Sequence, residues 1–380
     1  MVRSTVAHVD LAALQANFRA IEALLAVRAP AARRPPDIIA VVKANAYGHG
    51  ARHAALALEQ AGATMLACAD IEEGVVLRKA GVQGRILVFG ALSVSDLGGL
   101  FDYGLTPTCS TPGAGRALQA AAAARGRRLR YHLKIDTGLN RLGFRYDNLE
   151  RTLPELFASR DLELEAVYTH FATADDPEHP LFDAQRQRFD AALARIQKMG
   201  VVVPARHAAN SAALLRDSRA WFDFVRPGIL LYGVAPAACA GALPLRPVLS
   251  LRSRVVSVKN VRPGEGVGYG ARFSPDTPRV VATVPAGYAD GLDARLGGRG
   301  QVLIGGRRAP IVGAVSMDML AVDVTGGSVE PGDEVVFLGG QGQERITVSQ
   351  MADAIGTVPY EILCRIGSRI ERIYDGAPSR

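Results

Sequence analysis

The sequence predicts an α/β protein: a (β/α)8 TIM-like barrel followed by a smaller, mostly β C-terminal domain. Short apolar runs alternate with helical stretches over some 220 residues, as in a barrel. The pattern then changes to strands separated by Gly and Pro turns. A chain of 380 residues is also too long for one average domain. Pattern alone leaves doubly wound and four-strand arrangements open as alternatives.

The barrel is predicted over residues 10–240. Leu11, Leu14 and Phe18 recur at helical spacing, and Asp10 can cap the start of that helix. Helical stretches follow at residues 51–61, 116–125 and 184–199. The eight strand-like runs lie at residues 37–43, 64–69, 85–89, 105–109, 129–135, 164–169, 201–206 and 222–225.

The second domain is predicted over residues 241–380. The Ala-, Pro- and Gly-rich segment 234–247 reads as a linker between the two domains. Beyond it, little helical signal is found. The predicted strands lie at residues 251–261, 280–284, 301–304, 319–324 and 334–338.

Composition narrows the classes of function. The net charge of +7 permits an anionic ligand, but the basic residues are dispersed, so nucleic acid is not expected as a partner. Four scattered cysteines without a C-x-x-C pair indicate reduced thiols and no metal site. We find no signal peptide and no apolar run long enough for a membrane, which favours the cytoplasm.

Lys43 is the first candidate catalytic residue. It directly follows a short apolar strand, and the carboxyl ends of barrel strands are where barrel enzymes carry their chemistry. Apolar surroundings there disfavour the charged form of an amine, and the neutral form is the one that attacks a carbonyl. A rim lysine in a salt bridge is the alternative from position alone.

The residues around Lys43 read AVVKANAYGHG (residues 40–50), which closely resembles the cofactor-lysine motif of alanine racemases. The similarity extends along nearly the whole chain. It implies a pyridoxal 5'-phosphate-dependent isomerase in which Lys43 holds the cofactor and Tyr47 helps to hold its phosphate. Such an enzyme interconverts L- and D-alanine and supplies D-alanine for bacterial peptidoglycan.

Two loops are predicted to bind the phosphate. One contains Asn210 and Ser211, and Ser211 is expected to cap the helix that follows. The other contains Arg226, Gly228 and Ile229 after the eighth strand, and loops seven and eight commonly bind phosphate in this fold. An ordinary cap and an ordinary turn are the alternatives. The resemblance further implies that Arg226 points at the pyridine nitrogen, where an arginine only donates.

Inverting a stereocentre requires a second base opposite Lys43, and Tyr269 is the candidate. The family resemblance implies that this tyrosine reaches the active site across a homodimer interface. It also implies that Arg141 lies beside Tyr269 and the substrate carboxylate, and that His170 links Tyr269 to Arg226.

Further residues follow from the same resemblance. Met317 would offer its backbone N–H to the substrate carboxylate, while Tyr288 and Tyr360 would narrow the entrance, Tyr360 near the phosphate. Alternation along the fifth strand points Lys134 into the barrel, where some family members carry a carbamylated lysine; a buried salt bridge, for example to Asp136, is the alternative.

The sequence also bears on three other functions. A decarboxylase of basic amino acids would need a polar acceptor and a cysteine donor that the β domain does not show. A non-catalytic pyridoxal-phosphate carrier would lack the second domain. A racemase of broader specificity, acting on serine as well, stays open because pocket width depends on packing.

Overall fold

The structure is a computed structural model that describes residues 4–30, 34–90, 96–239 and 241–376. Ala240, within the predicted linker, lies outside the described residues. The chain divides into two compact units. The barrel unit contains Gln15–Ala46 and Ala54–Leu245, and the β-rich unit contains Met1–Leu14, Tyr47–His53 and Arg246–Arg380.

The predicted barrel is confirmed as a closed ring of eight parallel strands. The first strand pairs with both the second and the eighth, and the fourth pairs with the fifth, which leaves no open edge. The strands are nearly continuous runs of buried residues, as expected when helices cover a parallel sheet. In chain order they are Asp37–Val41, Met65–Cys68, Arg85–Val88, Thr106–Cys109, Leu129–Asp136, Leu162–Tyr168, Arg206–His207 and Phe224–Val225. A two-residue strand, Phe144–Arg145, pairs beside the fifth.

One helix precedes the first barrel strand, and other helices connect the barrel strands. Asp10 accepts from the Ala13 N–H at 2.7 Å, so the predicted cap of the first helix is confirmed. Asp70 and Thr111 cap two later helices in the same way. The helices are Leu11–Arg28, Ala51–Gln60, Ile71–Lys79, Gly98–Asp102, Pro112–Arg125, Leu149–Thr152, Pro154–Phe157, Leu181–Lys198 and Ser211–Arg216.

The seventh strand is where the predicted bounds are wrong. The apolar run at residues 201–206 suggested a buried strand, yet Val202 is 83% exposed and pairing begins only at Arg206. Pro204 lacks the N–H that a central strand donates to its neighbour. A hydrophobic run alone therefore overestimated the length of this strand.

The β-rich unit is built on a ten-stranded sheet. The segment predicted as one strand at 251–261 is two, which pair with different neighbours. The strands are Val6–Asp10, Leu249–Arg254, Ser257–Val261, Arg279–Val284, Gln301–Ile304, Arg307–Val312, Leu320–Asp323, Glu334–Gln341, Glu344–Ile346 and Glu371–Asp375.

Two features of this unit were not predicted. Val6–Asp10 joins the sheet, antiparallel to Leu249–Arg254 and parallel to Glu371–Asp375, a pairing of the two chain ends that local sequence does not reveal. Two helices, Val348–Ile355 and Pro359–Arg365, also follow the last long strand. In the part of the chain that the structure describes, no helix has the length and apolar character to span a bilayer.

Candidate active site

Lys43 lies just beyond the first barrel strand. The strand itself ends at Val41, but the Val42 N–H still donates to the Ala67 carbonyl at 2.8 Å, so Lys43 leaves the barrel from an ordered position. Its side chain is half-buried. The backbone then turns left-handed, with φ near +53° at Ala44 and Asn45. An L-residue in this conformation costs roughly 1–2 kcal/mol, and such strain clusters at functional sites.

A carboxylate that the sequence analysis missed holds this strained turn. Glu73 accepts from the Ala44 N–H at 2.6 Å and from the Ala69 N–H at 2.7 Å. One side chain therefore joins the ends of the first and second strands. Glu73 stands in the first turn of its helix, where acidic residues are common, so its residue type carried no distinctive signal.

Arg226 is buried, and its described hydrogen-bond partners are all uncharged. Its guanidinium lies 2.8 Å from Nδ1 of His207 and 3.2 Å from Nδ1 of His170, and it donates to the carbonyls of Thr169 and Ala208 at 2.8 and 2.9 Å. Burial lowers the pKa of Arg226 to about 10, so the group stays protonated near neutral pH. Its predicted place after the eighth strand, and its contact with His170, are confirmed in the geometry.

The mouth of the barrel is rich in cations. Burial, with Arg141 and Arg226 nearby, lowers the pKa of Lys134 to about 8. Lys134 is 5% exposed, with Nζ 5.8 Å from the centroid of the Tyr168 ring, and it forms no ion pair with a described carboxylate. The alternative of a buried salt bridge to Asp136 is thus wrong. Burial and then Arg226 hold the pKa of His170 well below its usual range, so this imidazole is neutral.

Arg141 is exposed and lies on a loop after the fifth strand. The loop is closed by Asp136, whose Oδ1 accepts from the N–H groups of Gly138 and Asn140 at 3.0 and 3.1 Å. A Cβ on Gly143 would stand 2.6 Å from the Asp136 nitrogen, so only glycine fits there. The loop therefore has a defined path, and Arg141 on it is exposed.

The two predicted phosphate loops meet, but the capping assignment was wrong. Asn210, not Ser211, is the N-cap: its side chain accepts from the Ala213 N–H at 2.9 Å. Ser211 Oγ instead accepts from the Gly228 N–H at 2.9 Å, which ties the loop after strand seven to the loop after strand eight. Asparagine and serine are about equally good caps, so residue type alone did not distinguish them. Ile229 is buried beside this junction.

The remaining predicted residues lie in the β-rich unit. The rings of Tyr47 and Tyr360 are 6.0 Å apart, which brings together two residues predicted near the phosphate. The Tyr288 N–H donates to the Ser316 carbonyl at 3.0 Å, so the loops that carry Tyr288 and Met317 are joined. A Cβ on Gly287 would stand 2.3 Å from that same carbonyl, which explains the glycine.

Tyr269 stands out in this unit because it is 79% exposed. It lies in a tight turn between Gly268 and Gly270, which both have φ near +70°, and Val267 pairs with Phe273 to close the turn. Tyrosine is one of the residue types that are enriched at protein–protein interfaces. His170 lies in the barrel unit, and its predicted contact with Tyr269 stays a prediction.

The fold and these residues define a two-unit barrel protein. A lysine, a buried arginine and the two joined loops predicted to bind phosphate lie at the ends of its barrel strands. The model of the alanine racemase N-terminal domain matches residues 9–236, and that of the C-terminal domain matches residues 248–374. The chain belongs to the alanine racemase family.

Individual relatives agree with this assignment. The chain is 42% identical to an alanine racemase of Carboxydothermus hydrogenoformans, covering 98% of this chain and 100% of that one. It resembles the crystal structure of alanine racemase from Streptomyces lavendulae with a TM-score of 0.92 at 38% identity, over 99% and 98% of the two chains. It also resembles the alanine racemase of Bartonella henselae with covalently bound pyridoxal phosphate, with a TM-score of 0.86 at 29% identity, over 98% and 99%.

Proposed function

We propose that this protein is an alanine racemase that interconverts L- and D-alanine with pyridoxal 5'-phosphate, using Lys43 and Tyr269 as the two bases. One observation carries the proposal. Lys43 and the buried Arg226 follow barrel strands one and eight, which pair directly, in a chain that matches the family over both domains. Residues 10–240 would bind the cofactor, and residues 241–380 would supply the second base.

The chemistry of the side chains fits this cofactor. Lys43 would hold the cofactor through its amine, and the buried Arg226 would donate a hydrogen bond to the ring nitrogen. The phosphate would be bound by Asn210, Ser211, Gly228 and Ile229, together with Tyr47 and Tyr360. Pyridoxal phosphate supplies a conjugated ring that accepts the electron pair left at the α-carbon when a proton is removed.

This chain's own residues then direct the proton. Arg141 and the backbone N–H of Met317 hold the substrate carboxylate. The amine of Lys43 takes or returns the α-proton on one face, and the phenol oxygen of Tyr269 does so on the other. Because Arg226 is already protonated, it could only donate a hydrogen bond to the ring nitrogen, which would leave that nitrogen unprotonated.

The exposure of Tyr269 supports a homodimer with shared active sites. Tyr288, Met317 and Tyr360, the other predicted site residues of the β-rich unit, are also about half-exposed. Such a set of exposed large apolar side chains is typical of a protein interface. We therefore assign the second base of each active site to the partner subunit.

We place the enzyme in the cytoplasm, where D-alanine would be supplied for peptidoglycan. Cys68 and Cys109 are buried without a disulfide, as in proteins of a reducing compartment. Serine stays a second candidate substrate, since it differs from alanine by one hydroxyl group.

The decisive experiment is deuterium incorporation from heavy water at the α-carbon of L- and D-alanine, with L-serine and L-ornithine for comparison. We expect exchange and racemisation with alanine and no carbon dioxide. Tyr269→Phe should retain the bound cofactor yet lose exchange for one enantiomer only, whereas Tyr146→Phe, at a half-buried tyrosine of the barrel unit, should change neither. Unchanged racemisation by Tyr269→Phe would refute the two-base assignment.

A further inference from the structure

A chain of polar side chains leads from Arg226 through the barrel interior. Nη1 of Arg226 lies 2.8 Å from Nδ1 of His207, and Nε2 of His207 lies 2.9 Å from Nδ1 of His132. Nε2 of His132 then lies 3.4 Å from Oε2 of Glu165, whose Oε1 accepts from Arg85 at 2.8 Å. The contact between His132 and Glu165 is long for a hydrogen bond, and Oε2 of Glu165 has no better partner among the described residues.

The two imidazoles are almost completely buried. His132 and His207 are 1% and 0% exposed, and the Tyr168 ring stacks on His207 at a centroid distance of 4.6 Å. Burial lowers the pKa of His132, and burial together with Arg226 lowers that of His207 still more clearly. Both rings are therefore neutral near neutral pH, with one proton each.

Arg226, at one end of this series of hydrogen bonds, sets the position of the proton on each imidazole. Arg226 only donates, so Nδ1 of His207 must accept and the single proton of that ring sits on Nε2. That proton faces His132, whose Nδ1 must in turn accept. The proton of His132 is thus on Nε2 and points at Glu165, a carboxylate that only accepts. Arg226 at one end and Glu165 at the other therefore require the same direction of the hydrogen bonds. No other arrangement of neutral tautomers satisfies all the contacts.

Among the described residues, no carboxylate contacts Arg226 directly. Its described partners are two carbonyl groups and two neutral imidazoles, and it forms no ion pair within the described ranges. A buried unpaired charge is costly. Glu165 is the anion at the far end of its hydrogen-bond chain. The side chain of Glu165 is 15% exposed, against 43% for its other partner, Arg85.

We infer that Glu165 is the counter-anion of Arg226 and acts through His207 and His132. This series of hydrogen bonds positions the arginine as a fixed donor. The carboxylate polarises His132, which makes His207 a better acceptor for the guanidinium. Glu165, His132 and His207 are positioning residues, because none of them reaches the proposed reacting atoms. Any effect of these hydrogen bonds on catalysis rests on the proposed function. The hydrogen bonds themselves do not.

The test is nitrogen-15 NMR of the full-length protein as purified, with labelled histidine and arginine. The seven histidines are assigned by removing them one at a time. We expect His132 and His207 to carry their protons on Nε2 near neutral pH. Glu165→Gln should weaken each hydrogen bond, so the bonded proton resonances of His132, His207 and Arg226 all move upfield, most at His132.

Two variants make the test selective. Glu163→Gln, on the same strand and in a surface contact with Arg130 at 3.7 Å, should shift none of these resonances. Arg85→Gln leaves the carboxylate but removes its solvent-facing cation, so the same resonances should move downfield. This second variant also serves if Glu165→Gln does not fold.

The inference is overturned by a proton on Nδ1 of either imidazole. It is equally overturned if Glu165→Gln or Arg85→Gln shifts His132 alone and leaves Arg226 unmoved, since Glu165 would then be a local structural partner. These signals exist whether or not pyridoxal phosphate binds. A protein that shows the expected shifts without racemase activity would refute the proposed function and leave this inference standing.

Discussion

Single residues carry the proposed chemistry, and Lys43 carries most of it. Only five lysines occur among 44 basic residues, and one of them follows the first barrel strand. Lys43→Ala should abolish the covalent attachment of pyridoxal phosphate, which is measured by borohydride reduction followed by peptide mass analysis. Lys198→Ala, at the exposed end of the helix Leu181–Lys198, is the matched control and should keep the attachment.

Glu165 should make a pH-dependent contribution to stability. The contact with His132 lowers the pKa of Glu165 from 4.5 to about 2. A depressed folded-state pKa stabilises the protein above the unfolded pKa, and this stability is lost as pH falls from 4.5 towards 2. Glu165→Gln should therefore lower the free energy of unfolding by on the order of 2 kcal/mol at neutral pH, and by much less at about pH 3.

The measurement is urea unfolding of both proteins at the two pH values. Glu163→Gln, whose side chain is 43% exposed, should change stability by only ~0–1 kcal/mol. A loss from Glu165→Gln that stays constant down to low pH would mean that the carboxylate charge is not its cause.

At the scale of elements, the loops after strands seven and eight are one structural feature. Asn210 caps the helix Ser211–Arg216, and Ser211 ties that helix start to Gly228. Asn210→Ala should cost about 1 kcal/mol of stability. It should also weaken pyridoxal-phosphate binding, because the helix start and both loops lose their anchor together.

A second capped helix separates these two effects. Thr111 caps Pro112–Arg125 by accepting from the Ala114 N–H at 3.1 Å. Thr111→Ala should cost a similar amount of stability yet leave cofactor affinity unchanged in equilibrium dialysis. Equal cofactor affinities for the two variants would contradict the assignment of the Asn210 loop to the phosphate.

At the scale of the whole molecule, a shared active site makes a quantitative prediction. Lys43→Ala and Tyr269→Ala should each be inactive alone. If each site takes its lysine from one subunit and its tyrosine from the other, a mixed dimer has one intact site and one doubly damaged site. Random reassociation of equal amounts should then restore about one quarter of the activity, because half the dimers are mixed.

The comparison is made after reversible dissociation of the mixed variants, with each variant alone carried through the same procedure. Recovery of racemisation upon mixing supports the shared site. A mixture that stays inactive, while mass analysis shows mixed dimers, would place both bases in one chain.

Several features of the fold and the site were predictable from sequence because the interactions behind them are local. Alternating apolar runs predicted the barrel, Asp10 predicted a helix cap, and the motif around Lys43 pointed to the family. The strand at 201–206 was misplaced because hydrophobicity does not report pairing, and Val202 faces solvent.

By itself, then, the sequence predicted the alternation of strands and helices in the barrel, the lysine that we propose as the reactive amine, and the chemical types available at the strand ends. These follow from periodicity, capping and residue chemistry over short stretches of chain. Only the tertiary structure decided which groups meet. Glu73 contacts the turn after Lys43, Ser211 contacts Gly228, and polar side chains link Arg226 to Glu165. These partners are distant in sequence, and closing the barrel is what brings their strand ends and interior side chains into contact.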